Sequence, residues 1–231
     1  MAHPLAHPAR HKLLLALLLS GLGVLALDAL GLDLPLARWL GNGQGFPLRD
    51  HWVLSTVLHS GARSVGWLVL LALTLCTVRP VGIFAAMAHR ERVWMVASIW
   101  LSVVLIAVVK GISTSACPWD LVEFGGTTPY LSHWSWLTGP AASASGGHCF
   151  PAGHASTAFA FLAVPLWLHR VQPTWAWRSL WGILATGLVL GVAQQVRGAH
   201  FLSHTLWSAW LCAAVALAAF LGAGQRQGRE I

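Results

Sequence analysis

Six long apolar stretches constrain this chain more than any other feature of its sequence. Of its 231 residues, 56% are hydrophobic and only 9% are charged, whereas about a quarter of the residues in a soluble domain are charged. A helix that crosses a bilayer needs about 20 consecutive apolar residues. The stretches that approach this length are residues 13–32, 64–80, 93–109, 155–169, 179–196 and 205–222. We therefore expect one all-α domain over residues 1–231, a polytopic membrane bundle of six transmembrane helices.

The basic residues predict which side of the membrane each connection faces, because cytoplasmic loops carry an excess of Lys and Arg. With six spans, one side holds nine of the 14 basic residues: Arg10, Lys12, Arg79, Arg90, Arg92, Arg170, Arg178, Arg226 and Arg229. The opposite side holds Arg38, Arg49, Arg63, Lys110 and Arg197. We expect the first side to be cytoplasmic, so that connections 33–63, 110–154 and 197–204 face outward.

This orientation predicts a multi-pass protein of a bacterial inner (plasma) membrane, with its polar site on the periplasmic or outer face. The basic residues are scattered singly along the chain, whereas nucleic-acid binding needs them clustered on one surface. The expected partner is therefore the lipid bilayer, and no nucleic acid.

The first candidate functional segment, residues 150–156, precedes the fourth apolar stretch. Pro151 and Gly153 suit the start of a helix, where unpaired backbone N–H groups and the helix dipole form an anion site. An imidazole at that position, His154, can donate a proton to a departing oxygen. The alternative is an ordinary interfacial His at a helix start.

The second and third segments carry His and Lys at the outward ends of other apolar stretches. His200 and His204 are four residues apart and would share one face of a helix, either as a metal pair or as a nucleophilic His with a neighbour that positions it. No Glu follows His200, as a zinc-protease helix would require. Lys110 is either an interfacial anchor or a ligand for a phosphate oxygen. His59 and His148 are expected to be ordinary interfacial residues.

Together the three segments resemble the motifs of the type 2 phosphatidic acid phosphatase superfamily. That family carries Lys, six residues and Arg-Pro, then Pro-Ser-Gly-His, then Ser-Arg, five residues, His, three residues and Asp. Here the corresponding segments are Lys110, six residues and Cys117-Pro118; Pro151-Ala152-Gly153-His154; and residues 198–204. The resemblance covers roughly residues 93–222, the motif-bearing core.

The resemblance implies a metal-independent reaction without a cofactor. His200 would attack phosphorus to form a phosphohistidine, and His154 would protonate the leaving oxygen. Lys110, Arg197 and backbone N–H groups near Gly153 would hold the phosphate. The substrate would be a membrane lipid with a phosphomonoester or pyrophosphate group, such as a polyprenyl pyrophosphate, phosphatidylglycerol phosphate or a lipid A phosphate.

Four residues depart from the family pattern. They are Cys117 for Arg, Ala152 for Ser, Gln194 for Arg and His204 for Asp. Asp120 or Glu123, in the outer loop, is a candidate to hold His200 or His204 in the required tautomer, and Arg63 is a further source of positive charge. The alternatives to hydrolysis are transfer of phosphate to a second lipid, an inactive lipid-phosphate binder, and a metal or haem carrier built on the His residues.

Two of the four cysteines, Cys117 and Cys149, lie in the same outward polar loop. An oxidising compartment would allow them to form a disulfide that pins the first motif against the second. The alternative is a pair of free thiols.

Overall fold

The computed structural model describes residues 7–134 and 147–227, and no β-strand forms among them. The α-helices are α1 His7–Ala29, α2 Asp33–Leu40, α3 Ala62–Val78, α4 His89–Ile112, α5 Gly153–Phe159, α6 Ala163–Leu168, α7 Pro173–Val196 and α8 Leu202–Gln227. A π-helix spans Val53–Gly61, and 3₁₀ turns form at Gly82–Ala86, Pro118–Asp120, Val122–Phe124 and Ala160–Leu162. The expectation of an all-helical membrane bundle is therefore confirmed.

In the described part of the chain, five helical segments are long and apolar enough to cross a membrane. They are Arg10–Ala29, Val53–Ala86, His89–Ile112, Pro173–Val196 and Leu202–Gly224. The stretch predicted as the fourth span, residues 155–169, lies in the shorter apolar run Gly153–Leu168. This run is divided by the 3₁₀ turn Ala160–Leu162 and contains Pro165, which lacks the N–H that a helix interior uses. Five spans are thus supported, and the sixth remains a prediction. The orientation of the bundle also remains a prediction. Arg229, one of the basic residues used to predict it, lies outside the described residues.

Helix packing brings three helix ends together at one end of the bundle. The main core lies among α4, α5, α6, α7 and α8, and α7 approaches its neighbours at glycines. A Cβ at Gly187 would lie 2.2 Å from Cε1 of Phe159 in α5, and a Cβ at Gly191 would lie 2.3 Å from Cγ2 of Thr205 in α8. These close contacts hold α7 beside the C-terminal end of α5 and the N-terminal end of α8, and the N–H of Ala152, just before α5, donates to the carbonyl oxygen of His204 in α8 at 3.2 Å.

A second, smaller core covers this end of the bundle. It consists of Ala37, Phe46, Ala116, Leu121, Phe124 and Phe201. Phe46 lies against the turn between α7 and α8, where Gly198 has a φ of +73°. A Cβ there would lie 2.3 Å from the Phe46 ring, so glycine is required for both the backbone conformation and the space. The segment that precedes α3 thus covers the turn that carries His200.

Candidate active site

Lys110, in the last turn of α4, reaches the start of α5. Its Nζ donates a hydrogen bond to the carbonyl oxygen of His148 at 2.5 Å. Its methylene groups lie beside Gly153, the first residue of α5, since a Cβ there would be 3.7 Å from Cδ of Lys110. The ammonium group is therefore held next to the helix start that carries His154, where free N–H groups favour an anion.

His200 lies in the turn between α7 and α8, and only 5% of it is exposed. Its Nδ1 is buried and makes no hydrogen bond to the residues that the structure describes. Burial lowers the pKa of His200 well below its ordinary value, and the nearby charges of Lys110 and His154 lower it further. The imidazole is therefore neutral at neutral pH, and a neutral imidazole has the lone pair that a nucleophile needs.

His154, in the first turn of α5, interacts with the other imidazole and basic side chains at this end of the bundle. Its Nε2 is buried without a hydrogen-bond partner, and its ring stacks on His59 with the ring centroids 3.7 Å apart. His59, Lys110, Arg63 and Arg197 all interact electrostatically with it. The structure thus brings together Lys110 and the two predicted catalytic histidines.

Arg197 is present at the site but is held by protein groups. Its Nε donates to the carbonyl oxygen of Arg49 at 2.7 Å, and its Nη1 donates to Oε1 of Gln194 at 3.2 Å. Gln194 stands where the family motif has Arg, and it uses its side chain to fix the arginine that lies three residues later. The positive charge is therefore close to the position that the motif would give it, on a different residue.

His204 is fully buried, and within residues 7–134 and 147–227 neither ring nitrogen has a hydrogen-bond partner. Its ring makes edge-to-face contacts with His133, Phe150, Phe201 and His200, with centroid distances of 5.4, 5.3, 5.3 and 5.8 Å. An aromatic enclosure of this kind fixes the position of the ring. The residue that replaces the motif Asp therefore packs against His200 without a hydrogen bond to it.

The two carboxylates predicted to orient the histidines do not reach them. Glu123 pairs instead with Arg38 of α2. Asp120 ends a 3₁₀ turn and uses its carbonyl oxygen to accept the N–H groups of Thr127 and Thr128. No hydrogen bond joins either carboxylate to His200 or His204 among the described residues. The described structure therefore does not support either carboxylate as an orienting group, and that role stays a prediction.

Two other carboxylates, from the N-terminal region, support this end of α8. Asp28 accepts hydrogen bonds from Nε2 of His133 at 2.9 Å and from Nε1 of Trp134 and of Trp207 at 2.7 and 3.0 Å. Asp33 accepts the N–H of Ser203 at 3.0 Å and its hydroxyl. It thereby caps the first turn of α8, and burial raises the pKa of Asp33.

By distance alone, Asp28, Asp33 and His133 form a group that could hold a metal ion. The N–H and O–H donors described above already bind both carboxylates, and this accounts for their burial without an ion. The sequence showed Asp28 inside an apolar stretch but gave no sign of its partners, which are distant in the chain.

His59 and Arg63 are the functional candidates that the motifs missed. His59 was expected to be an ordinary interfacial residue, yet it stacks on His154. Arg63, four residues later, interacts electrostatically with both imidazoles. The sequence had named Arg63 only as a further source of positive charge, and the i, i+4 spacing, which places two residues on one helix face, was the signal that could have joined it to His59.

A disulfide joins Cys117 to Cys149, with 5.2 Å between their Cα atoms. The backbone beside it is also connected, since the N–H of Cys149 donates to the carbonyl oxygen of Ser115 at 3.0 Å. These links hold the loop after Lys110 against the segment that leads to His154.

A family model described as the PAP2 superfamily matches residues 91–227, which include Lys110, His154 and His200. The matched region therefore spans more than half of the chain, from α4 to α8. Comparisons with curated proteins and with solved structures found no match. The chain belongs to the PAP2 superfamily, and with its membrane-like helices this membership supports a phosphatase-type membrane protein.

Proposed function

We propose that this protein is an integral membrane lipid phosphatase that hydrolyses a phosphomonoester or pyrophosphate through a phosphohistidine at His200. The observation that carries the proposal is the convergence of Lys110, His154 and His200, from three separate segments, at one end of the bundle. Ionisable groups at membrane depth are costly and are commonly functional. Here the polar atoms His154 Nε2 and His200 Nδ1 are also buried without partners.

In the first step, a ring nitrogen of neutral His200 attacks phosphorus. The bond from phosphorus to the leaving oxygen breaks, its electron pair goes to that oxygen, and His154 donates the proton that neutralises it. In the second step, water gives a proton to His154 and attacks the phosphohistidine, so that inorganic phosphate leaves and His200 is restored. Both histidines end each cycle in their starting state.

Lys110 and the free N–H groups at the start of α5 supply the charge that the reaction needs. Phosphoryl transfer depends mainly on positioning and on neutralisation of the phosphate oxygens. A fixed ammonium group and a helix N-terminus provide both, and we propose that no metal takes part. The phosphate charge itself favours the protonated form of His154, which the first step requires.

The substrate is proposed to be a lipid, and the site to face the periplasm or the outer side of a bacterial inner membrane. Support comes from the position of the site at the ends of apolar helices, and from the excess of basic residues at the opposite end. A polyprenyl pyrophosphate, phosphatidylglycerol phosphate and a lipid A phosphate all fit this description. A phosphohistidine can also pass its phosphate to a second lipid, which is the alternative outcome.

Phosphate release from these lipids by the purified protein in detergent, with a chelator present, tests the proposal. We expect release by the wild type, loss of at least about a thousandfold in His200→Ala, and little change in His51→Ala, an exposed outer-loop histidine used as the control. Equal release by the wild type and His200→Ala would contradict the proposal. Loss of wild-type activity in chelator would favour the metal-based alternative.

A further inference from the structure

A long apolar groove lies between α1 and the rest of the bundle. It encloses about 680 Å³, within the range of about 300–1,000 Å³ that small-molecule sites occupy. Its walls come from α1, α7, α8 and the run Gly153–Leu168. Along α8 it extends from Leu206 to Phe220, a distance of about 21 Å at the helical rise per residue. One leaflet of the hydrocarbon core is about 15 Å thick, so the groove is long enough for the acyl chain of a lipid.

The groove is open because α1 packs closely on α8 at a single point. A Cβ at Gly21 would lie 2.7 Å from Nε1 of Trp210, and this N–H donates to the carbonyl oxygen of Leu17 at 3.0 Å. Only 6% of the α1 span is buried within the described structure. On α8, the small side chains of Ala209 and Ala213 line the groove. One tight contact flanked by small residues therefore leaves space beside α1.

A hydrogen bond closes the end of the groove that is nearer to the active site. Nε1 of Trp207 in α8 donates to Oδ2 of Asp28 in α1 at 3.0 Å. Trp207 directly follows Leu206, and Asp28 is one helical turn beyond Val24, and both Leu206 and Val24 line the groove. A molecule in the groove is therefore separated from His200, which precedes α8.

The opposite end of the groove is lined by His169 and Arg170. The guanidinium group of Arg170 lies over the ring of Phe220, 4.8 Å from its centroid. Its Nη1 pairs with Glu91 at 3.3 Å, whereas its Nε is buried and has no partner in residues 7–134 and 147–227. A buried N–H without a partner costs free energy, and a bound phosphate oxygen would supply the missing acceptor.

Arg10 adds a positive charge to the α1 wall at this same end. The α1 residues that line the groove are Leu13, Ala16, Leu17, Ser20 and Val24. Their spacing of three and four residues places them on one helix face. Arg10 is three residues before Leu13, so it continues this face at the end away from Asp28. No salt bridge engages Arg10 among the residues that the structure describes. This end of the groove thus carries arginines on two of its walls.

We propose that the groove binds an anionic phospholipid of the bilayer, with an acyl chain along α1 and α8 and its phosphate at Arg10 and Arg170. The apolar walls and the basic end complement a molecule with a hydrocarbon tail and a negative head group. A zwitterionic lipid also brings an ammonium group to these arginines, and like charges repel, so an anionic lipid is preferred. Its head group lies at the end opposite His200, so this lipid is distinct from the substrate.

Native mass spectrometry of the delipidated protein in detergent tests the proposal. The probes are dioleoyl phosphatidylglycerol and dioleoyl phosphatidylcholine, which share their acyl chains. We expect the wild type to bind phosphatidylglycerol at least about tenfold more tightly. Ala213→Phe fills the groove and should weaken this binding at least about tenfold. Val189→Phe adds the same ring at an exposed residue of α7 outside the groove and should leave binding unchanged.

A second pair of variants isolates the role of charge. Arg10→Gln should weaken phosphatidylglycerol binding about fivefold, the usual contribution of one basic residue to binding of an anionic lipid. Arg178→Gln is the matched control, because Arg178 is an exposed residue of α7 that stacks on Trp175 and does not line the groove. It should bind the lipid as the wild type does. If Ala213→Phe lowers the melting temperature, the comparison of the two arginine variants decides.

Four outcomes would overturn the inference. They are equal affinity for the two lipids, equal weakening by Ala213→Phe and Val189→Phe, equal weakening by the two arginine variants, and loss of binding in His200→Ala, which would place the lipid in the active site. A dimer that Ala213→Phe dissociates would show instead that a second copy of the chain covers the groove. None of these measurements uses phosphate release, so they stand or fall independently of the proposed function.

Discussion

The two ends of the bundle differ in whether their buried ionisable side chains have hydrogen-bond partners. At the end that holds the N-terminus of α4, Glu91 accepts the N–H of Ala88 at 3.1 Å and pairs with Nη1 of Arg170 at 3.3 Å. Arg92 donates to the carbonyl oxygens of Thr77 and Met87. At the other end, the imidazoles have buried nitrogens without partners. A paired charge stabilises the fold, whereas a buried imidazole nitrogen without a partner at a helix start is available to a ligand.

The two ends also differ in the sign of their charged side chains. The Glu91 end combines a carboxylate with two guanidinium groups, although Nε of Arg170 has no partner. The His200 end collects Lys, His and Arg, and its carboxylates are bound elsewhere, Glu123 by Arg38 and Asp33 by Ser203. The comparison supports the proposal that the second end binds an anion, and it predicts different consequences for mutations at the two ends.

The largest expected effect is on catalysis at the His200 end. His200→Ala should lower kcat by at least about a thousandfold, because the phosphohistidine can no longer form. Any loss of thermal stability should come from the cavity that Ala leaves, because the described structure shows no hydrogen bond at His200 Nδ1 for the substitution to break. Phosphate release and a melting curve on the same preparation measure both quantities. A large loss of stability with retained activity would reverse the comparison.

At the Glu91 end, the effect should fall on stability. Glu91→Gln leaves Arg170 without its carboxylate at a largely buried position, and removal of one partner of a buried pair costs about 3–5 kcal/mol. The activity of the protein that remains folded should be unchanged. Thermal unfolding monitored in detergent, with activity normalised to folded protein, provides the measurement. A loss of kcat with normal stability would show that this end takes part in the chemistry.

The disulfide offers a further test of the comparison. It lies at the His200 end, yet its loss should mainly lower the stability of the protein. Reduction, or Cys117→Ser with Cys149→Ser, should cost about 3–4 kcal/mol for a closed loop of this length, given the sequence separation of 32 residues. It should also raise KM, since the loop after Lys110 would be less well held. Intact-mass analysis with and without reductant checks the bond itself. An unchanged mass would indicate two free thiols.

The most gradual predicted effect is on the pH dependence of stability. Burial lowers the pKa of His200 and also that of His133, so in acid the unfolded chain takes up protons that the folded protein does not. Their contribution is fully present above about pH 6.5, the ordinary pKa of His, and is lost as the pH falls below it. The loss approaches about 1.4 kcal/mol per pH unit for each group.

Stability measured between pH 7 and pH 5 tests this sign. The wild type should lose stability over that range, and His200→Gln should lose less of it. Activity should persist below pH 6.5 as far as His200 is concerned, because the nucleophile stays neutral there. A steeper loss in the variant than in the wild type would contradict the assignment.

The sequence was sufficient to predict that Lys110, His154 and His200 lie at one end of the bundle, but not which groups support them. Each of these residues adjoins the end of an apolar stretch, so topology alone placed them on one side. Asp120 and Glu123 were chosen because they lie near a motif along the chain, and the sequence did not reveal that Glu123 pairs with Arg38. The partners of Asp28 lie more than 100 residues away, which no local pattern can indicate.

The short helical run Gly153–Leu168 shows the same limit in the fold. Its apolar composition predicted a full span, whereas the structure divides it at Ala160–Leu162. Composition measures how apolar a stretch is, but the length of its helix also depends on Pro165 and on packing against α7 and α8. Likewise, the contact between His59 and His154 depends on how the segment that leads into α3 packs against α5, which the sequence does not show.

A structure of the protein with orthovanadate, which mimics the transferring phosphoryl group, tests the central claim most directly. The account predicts vanadium bonded to a ring nitrogen of His200, with vanadate oxygens within hydrogen-bond distance of His154 and of Nζ of Lys110. Vanadate bound elsewhere, or bound to His200 with His154 and Lys110 out of reach, would contradict the account.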